Sequence, residues 1–324
     1  MNHLPFEQRQ YEIIQLKQAS TNEKFGKSPS EQSVKELLNR GIIVLDKPSG
    51  PTSHQATDYV KRILGLRKAG HTGTLDPGVT GVLPVALQDA TRITHALLTA
   101  GKEYVCLMHI HENVSEEKFE AVIKEFTGKI NQLPPKKSAV RRRLRERSIY
   151  YFEVLERKEK DVLFKVGCQA GTYIRKLVHD MGEKLGCGAH MAELRRTKAG
   201  PFDESKVVTL QDLADAYHYY KEGDDSHFKK FLLPIESGVE HIKKIWVLDS
   251  ATDPLCNGAY LKVPGIAKFE SDIEKGDQVA VMTLKDELVL LGESMYSASD
   301  IKSFDKGIAV KTKQVFMKAG TYKE

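Results

Sequence analysis

Cysteine is scarce: Cys106, Cys168, Cys187 and Cys256 are the only four in 324 residues, and they are scattered singly. No C-x-x-C pair occurs and no histidine stands beside one at zinc-ligand spacing, so neither a structural zinc site nor a disulfide framework is expected. Such usage suits a reducing compartment, and the chain reads as cytoplasmic. Long apolar runs are missing too. Nothing approaches the roughly 20 residues of a membrane helix, and the opening MNHLPFEQRQYEII has no signal-like apolar stretch. Regular strand-helix-strand crossovers are also absent, which favours α+β over a doubly wound sheet.

What is present is a modest positive excess, +5 overall, suited to a polyanionic partner. The length exceeds one ordinary core. Residues 1–39 are polar, broken by Gly26 and Pro29, and read as an arm that folds against something else. Residues 42–45 form an apolar strand. Thr52 and Gln55 then make a capping box for a helix burying Ala56, Tyr59, Val60, Ile63 and Leu64. Ser115 caps a second helix with Phe119, Val122, Ile123 and Phe126 inward and Gly128 as its stop. Residues 104–111 and 162–168 alternate as strands. Composition shifts across 221–240, and the short strand-like runs at 278–284, 288–291 and 308–311 suggest a small barrel. The reading is an arm over 1–39, a first domain over 40–240 and a second over 241–324.

Chemistry concentrates in loops rich in glycine, threonine and proline. GHTGTLDPGVTG at 70–81 holds Asp76 directly before Pro77, where glycines admit a close ligand and a carboxylate is available as nucleophile or base. RGIIVLDKPSGPTSH at 40–54 runs a strand into Lys47-Pro48. In GTYIRKLV at 171–178, Gly171 ends a strand, and Tyr173 and Arg175 open a helix. ELRRTKAGPF occupies 193–202.

These four segments, in this order, resemble the TruB/dyskerin family of pseudouridine synthases. FGKSP at 25–29 and the pattern S-A-V-x-R-x-L-R-x-R-x-I-Y at 138–150 resemble its archaeal and eukaryotic branch. Long lysine-rich tails of eukaryotic members are missing, which favours an archaeal type. CNGAYLKVPGI (256–266), KGDQVAV (275–281) and ELVLLGES (287–294) are similar to the PUA domain, an RNA-binding pseudo-barrel, although Asn257 stands where that domain often has histidine.

The resemblance implies an α+β catalytic domain with a mixed, mainly antiparallel sheet and a C-terminal PUA pseudo-barrel, the arm packing on the latter. It implies Asp76 as the catalytic aspartate, a buried anion paired with Arg175. Tyr104 would stack on the target base, Tyr173 would form another wall, Leu194 would close the pocket, and His71 would help occupy the space left by a flipped base. An aromatic face suits a uracil that must rotate, since it grips the ring without fixing its in-plane orientation. RNA contacts would come from Lys47, with Lys47 and Pro48 also supporting the pocket. Arg141, Arg142, Arg143 and Arg145 would join them in the arginine run, and Asn257, Gly258, Pro264 and Gly265 in the PUA domain. Phosphate neutralisation by that arginine run would weaken with salt.

Turning uridine into pseudouridine means breaking N1–C1′, turning the base, joining C5 to C1′ and removing the C5 proton, with no redox step, metal or cofactor. A carboxylate serves by attacking C1′ or by acting at the ribose 2′ position, and both routes stay open. The implied partners are box H/ACA guide RNA, substrate rRNA, and tRNA through its T-loop uridine. A small zinc-ribbon H/ACA protein, a barrel-shaped H/ACA protein and a kink-turn-binding ribosomal-type protein complete the set. Two other readings compete: a catalytically silent RNA-binding scaffold of such a particle, and a glycosidase with Asp76 as nucleophile, for which no motif supplies a second carboxylate.

Overall fold

The computed structural model describes residues 3–135 and 141–323. The S-A-V part of the branch pattern lies outside them, as do the two lysines before it. The chain divides into two compact units, one formed by the chain up to Gln8 together with Ile42–Leu232, the other by Arg9–Gly41 and Leu233–Glu324. The expected arm over 1–39 is thus shared between units. Leu4 is fully buried and Glu7 pairs with Lys198 at 2.6 Å, which ties the first residues to the first unit.

The first unit is built on a mixed sheet whose strands run Val207–Val208, Gly41–Lys47, Thr80–Leu87, Ala189–Ala199, Lys102–Ile110, Asp161–Cys168, Arg145–Lys158 and Gly128–Gln132 from edge to edge. Pairing is antiparallel except where Val207–Val208 meets Gly41–Lys47 and where Thr80–Leu87 meets Ala189–Ala199. The fold is α+β, as expected. The helices Glu116–Glu125 and Ile174–Leu185 place Phe119, Val122, Leu177, Val178 and Met181 in a core with Met108, Phe164 and Val166.

Local signals located several elements. Helix Ser53–Ile63 begins with the Thr52–Gln55 capping box, fully formed. Its buried residues are Ser53, Ala56, Thr57 and Val60, whereas Tyr59 is 41 % exposed. The inward stripe is centred a step of about 100° from Tyr59, since 3.6 residues complete a turn. Gly128, expected as a helix stop, instead opens the strand Gly128–Gln132, and the preceding helix ends at Glu125 with Phe126 as its cap.

One glycine fixes strand spacing. Gly81 sits at φ +101° opposite Arg196 where the two parallel strands meet, and a Cβ there would fall 2.2 Å from the Arg196 carbonyl oxygen.

The second unit is a seven-stranded sheet in the order Ile13–Gln15, Ile266–Glu270, Lys243–Val247, Gln278–Met282, Leu288–Ser294, Ile308–Val315 and Leu261–Lys262. Its core includes Val247, Phe269, Val281 and Val310. The arm contributes the first strand, with Ile14 opposite Phe269. It also contributes a helix, Val34–Arg40, that polar composition concealed. Ser33 and Glu36 form its capping box.

Candidate active site

A cavity of about 630 Å³ opens in the first unit, within the range of roughly 300–1,000 Å³ usual for small-molecule sites. Asp76, Tyr104, Tyr173, Arg175 and Leu194 all line it. Four separate elements deliver them, so side chains 99 residues apart in sequence meet: Arg175 donates from its terminal nitrogen to Asp76 Oδ2 at 2.5 Å.

Asp76 stands in the loop between the strands Ala69–His71 and Thr80–Leu87. A turn closes over it, with the Val79 N–H donating to the Asp76 carbonyl at 3.0 Å. Beneath, Ser53 at the start of its helix accepts from Leu75 N–H at 2.7 Å and donates to the Leu75 carbonyl at 2.9 Å. Lys47 is the second anchor. Its ammonium donates to the carbonyls of Pro48, Pro77 and Val79 at 2.9, 3.0 and 2.9 Å, and burial, followed by the charge of Arg196, lowers its pKa. The expectation of RNA contact by Lys47 is therefore corrected: the residue is 0 % exposed, and three acceptors use its three donors.

Arg175 is the second residue of Ile174–Leu185, and Tyr173 is that helix's N-cap. Gln132, buried on the neighbouring strand, clamps Tyr173 by accepting from its N–H at 3.0 Å and donating to its carbonyl at 3.2 Å. The Asp76 and Arg175 side chains are 54 % and 60 % exposed. The anion expected to be buried thus stands at the cavity mouth, because its loop projects from the strand ends. An ion pair so exposed adds about 0–1 kcal/mol to stability, and its value is to orient the carboxylate.

Tyr104, on Lys102–Ile110, faces Arg196 across the strand pair, and Leu194 faces Cys106. Burial raises the pKa of the Tyr104 hydroxyl, with Arg196 acting in the opposite direction. His71 does not line the cavity. It lies on a three-residue strand, is partly buried with Nδ1 unpartnered, and has its pKa lowered by burial and then by Arg196.

Two lining residues escaped the sequence reading. Lys102 gives its three donors to the carbonyls of Leu97, Leu98 and Ala100 at 2.9, 3.0 and 2.6 Å, and burial, followed by Arg196, pushes its pKa down to about 7. Arg196 is 1 % exposed and donates to the carbonyls of Val82 and Gly73 at 2.7 and 3.2 Å. Its neighbour Arg195 points the other way, to Asp46 and Glu204. Period-two alternation in ELRRT was the available signal that one arginine faces inward.

Arg141, Arg142 and Arg143 are exposed, and Arg145 opens a strand with its side chain partly covered. Arg147 from the same run approaches Gly171 at the cavity edge. In the second unit, Asn257 caps the helix Asp249–Cys256, Gly258 follows at φ +89°, and Pro264 and Gly265 form a short turn. Asn257, Gly258 and Pro264 are exposed beside Tyr260. All four cysteines are free. Among the described residues, no cluster of His, Cys, Asp or Glu is arranged to hold a metal ion and no helix is long and apolar enough to cross a membrane.

Family models match nearly the whole length. The N-terminal domain of TruB family pseudouridylate synthases covers residues 61–174, the tRNA pseudouridylate synthase B C-terminal domain 175–240, the PUA domain 243–316 and the DKCLD domain 1–57. "Probable tRNA pseudouridine synthase B" of Pyrococcus abyssi is 54 % identical over 98 % of this chain and 96 % of its own length. The protein of the same name from Methanopyrus kandleri is 52 % identical over 98 % and 94 %. A chain in the crystal structure of a Cbf5-Nop10-Gar1 complex superposes with a TM-score of 0.95 at 51 % identity, covering 100 % of this chain and 99 % of that one. Another, in an H/ACA RNP bound to a substrate RNA containing 2′-deoxyuridine, gives 0.92 at 49 % identity, covering 99 % of each. The chain belongs to the TruB family of pseudouridylate synthases, isomerases that act on uridine in RNA, and carries a PUA domain beside its catalytic fold.

Proposed function

We propose that Asp76 is the carboxylate through which this chain converts uridine to pseudouridine, within a box H/ACA particle. The observation that carries the assignment is its 2.5 Å pairing with Arg175 at the mouth of the 630 Å³ cavity. Asp76 is the one carboxylate among the described lining residues, which fits isomerisation and leaves a glycosidase without its second acid. Tyr104, Tyr173 and Leu194 give the extruded base aromatic and apolar walls. The base must leave the RNA stack to reach them.

The exposed Arg141, Arg142 and Arg143, with Arg145, hold substrate RNA by its phosphates. The PUA region, 241–324, grips guide RNA through the surface at Asn257, Gly258, Pro264 and Gly265. Base pairing with the guide selects the uridine in rRNA. The solved relatives titled as a Cbf5-Nop10-Gar1 complex and as an H/ACA RNP support this setting. Small zinc-ribbon, barrel-shaped and kink-turn-binding proteins complete the particle, in the cytoplasm. Curated relatives bear the name tRNA pseudouridine synthase B, which favours a second, guide-free activity on the T-loop uridine of tRNA.

The test is tritium release from C5-tritiated uridine in RNA. Wild-type chain releases label from rRNA fragments when guide and partners are present, and from tRNA without a guide. Asp76→Asn stops both while still binding RNA. Undiminished release by that variant removes Asp76 from its role, and no release by wild type on either substrate favours the silent scaffold.

A further inference from the structure

The cavity holds more positive charge than its one carboxylate balances. Its charged lining residues are Asp76, Lys102, Arg175 and Arg196, and Arg175 is the one engaged with Asp76. Lys102 and Arg196 are 5 % and 1 % exposed, too deep to meet an RNA phosphate at the mouth. Backbone carbonyls receive their hydrogen bonds, and Arg196 also neighbours the Tyr104 hydroxyl. Neutral acceptors satisfy donors yet leave the net charge in place. Burying an ion costs several kcal/mol even after relaxation, so a buried guanidinium beside an ammonium that burial has already brought close to losing its proton calls for a negative charge that arrives during the reaction.

Isomerisation supplies one. When C1′–N1 breaks, both bonding electrons stay on N1, and the freed uracil is an anion delocalised over N1, O2 and O4. The sugar is captured by the Asp76 carboxylate at C1′, or gives its 2′ proton to that carboxylate. Ring electrons then form the C5–C1′ bond as the carboxylate leaves C1′ or returns the proton to 2′, C5 gives its proton to water and N1 takes one from water. Atoms and charge balance on either route.

Resting on the function proposed above, we propose that Arg196 and Lys102 form an electrostatic floor that holds the detached uracil as an anion while it turns. A fixed field from beneath stabilises a charge spread around the ring, and costs no reorganisation when that charge appears. Both act through space, so they are positioning residues and touch neither sugar nor base.

The test uses the full chain assembled with guide RNA and partner proteins, in single turnover, on RNA carrying uridine or 5-fluorouridine at the target. Fluorine withdraws electrons, so that base is the better anion unaided. Loss of the starting nucleoside after digestion reports C1′–N1 cleavage on both. Arg196→Gln is expected to slow uridine about 100-fold, 5-fluorouridine about 10-fold or less, and RNA affinity by no more than about 2-fold, with Arg196→Lys recovering most of the uridine rate. Equal slowing on both substrates means a structural role and overturns the proposal. Lys102→Met is measured alongside and decides by the same ratio where Arg196→Gln fails to fold. Asp76→Asn keeps two failures apart. Turnover surviving in that variant sinks the site assignment, whereas an inactive Asp76→Asn with an unmoved substrate ratio in Arg196→Gln sinks the floor alone.

Discussion

The two units bury cations in opposite ways. In the first, Lys47, Lys102 and Arg196 donate hydrogen bonds to backbone carbonyls. In the second, Arg9 binds Asp272 at 2.7 and 2.9 Å and also meets Glu270, which is 1 % exposed, while Lys243 pairs with Asp277 at 2.6 Å. Carboxylate partners cancel the field, whereas carbonyls leave it standing. In the second unit Arg9 thereby fastens the arm beside the strand Ile266–Glu270, whereas the cations named in the first unit have, among the described residues, no carboxylate to cancel their field.

Breaking the second arrangement should have the largest effect on stability. Arg9→Ala strands Glu270 without its guanidinium and should lower stability by about 3 kcal/mol, read as an earlier denaturant midpoint. Restoring most of it by adding Glu270→Leu in the same chain would show that the stranded charge was responsible. Acid tests the same contact. Burial is the largest single influence on Asp272 and raises its pKa, but the Arg9 hydrogen bond, the charges of Arg9 and Lys243 and a backbone hydrogen bond together outweigh it and leave the pKa below its usual 3.8. Since a depressed carboxylate stabilises above its unfolded pKa and loses that contribution as pH falls through the folded one, Asp272 should weaken the unit only below about pH 4. Arg9→Ala should flatten that acid limb, and an unchanged limb would place the acid sensitivity elsewhere.

In the first unit, Lys47→Met leaves carbonyls of the Asp76 loop without their donor and should cost about 1–3 kcal/mol. Turnover should fall with it even well below the melting temperature, because the loop carrying Asp76 loses its anchor. A variant with normal turnover at reduced stability would limit Lys47 to folding. Arg175→Ala should give the smallest stability change, under about 0.5 kcal/mol for so exposed a pair. It should nonetheless lower the single-turnover rate on the order of 100-fold. Comparable losses in both measurements would undo the distinction between an orienting and a stabilising ion pair.

Features written in neighbouring residues were legible. The Thr52–Gln55 box, the Ser115 cap and the alternation expected over 104–111 need only a few residues each; both caps stand where the sequence put them, and the strand runs Lys102–Ile110, beginning two residues earlier than expected and ending one earlier. The same grammar was present and missed at Ser33 and Glu36, because the polar arm around them outweighed a short helix signal. Long-range placement was not legible from periodicity. Asp76 and Arg175 were brought together only by the family resemblance, and Lys47, expected to support the pocket, was also given an RNA contact because its acceptors at Pro77 and Val79 lie 30 and 32 residues away. Tyr59 was given to the core by its helical spacing, yet the buried stripe is centred about 100° away from it and leaves it exposed.

Gly81 is one of the least forgiving positions in the catalytic fold. With 2.2 Å between an imagined Cβ and the Arg196 carbonyl, even alanine must pry Thr80–Leu87 from Ala189–Ala199, and those strands carry the Asp76 loop on one side and the guanidinium on the other. Substitutions that spare every reactive group can thus silence the enzyme from a place that contributes no side chain, and a mutational scan should find almost no tolerance there.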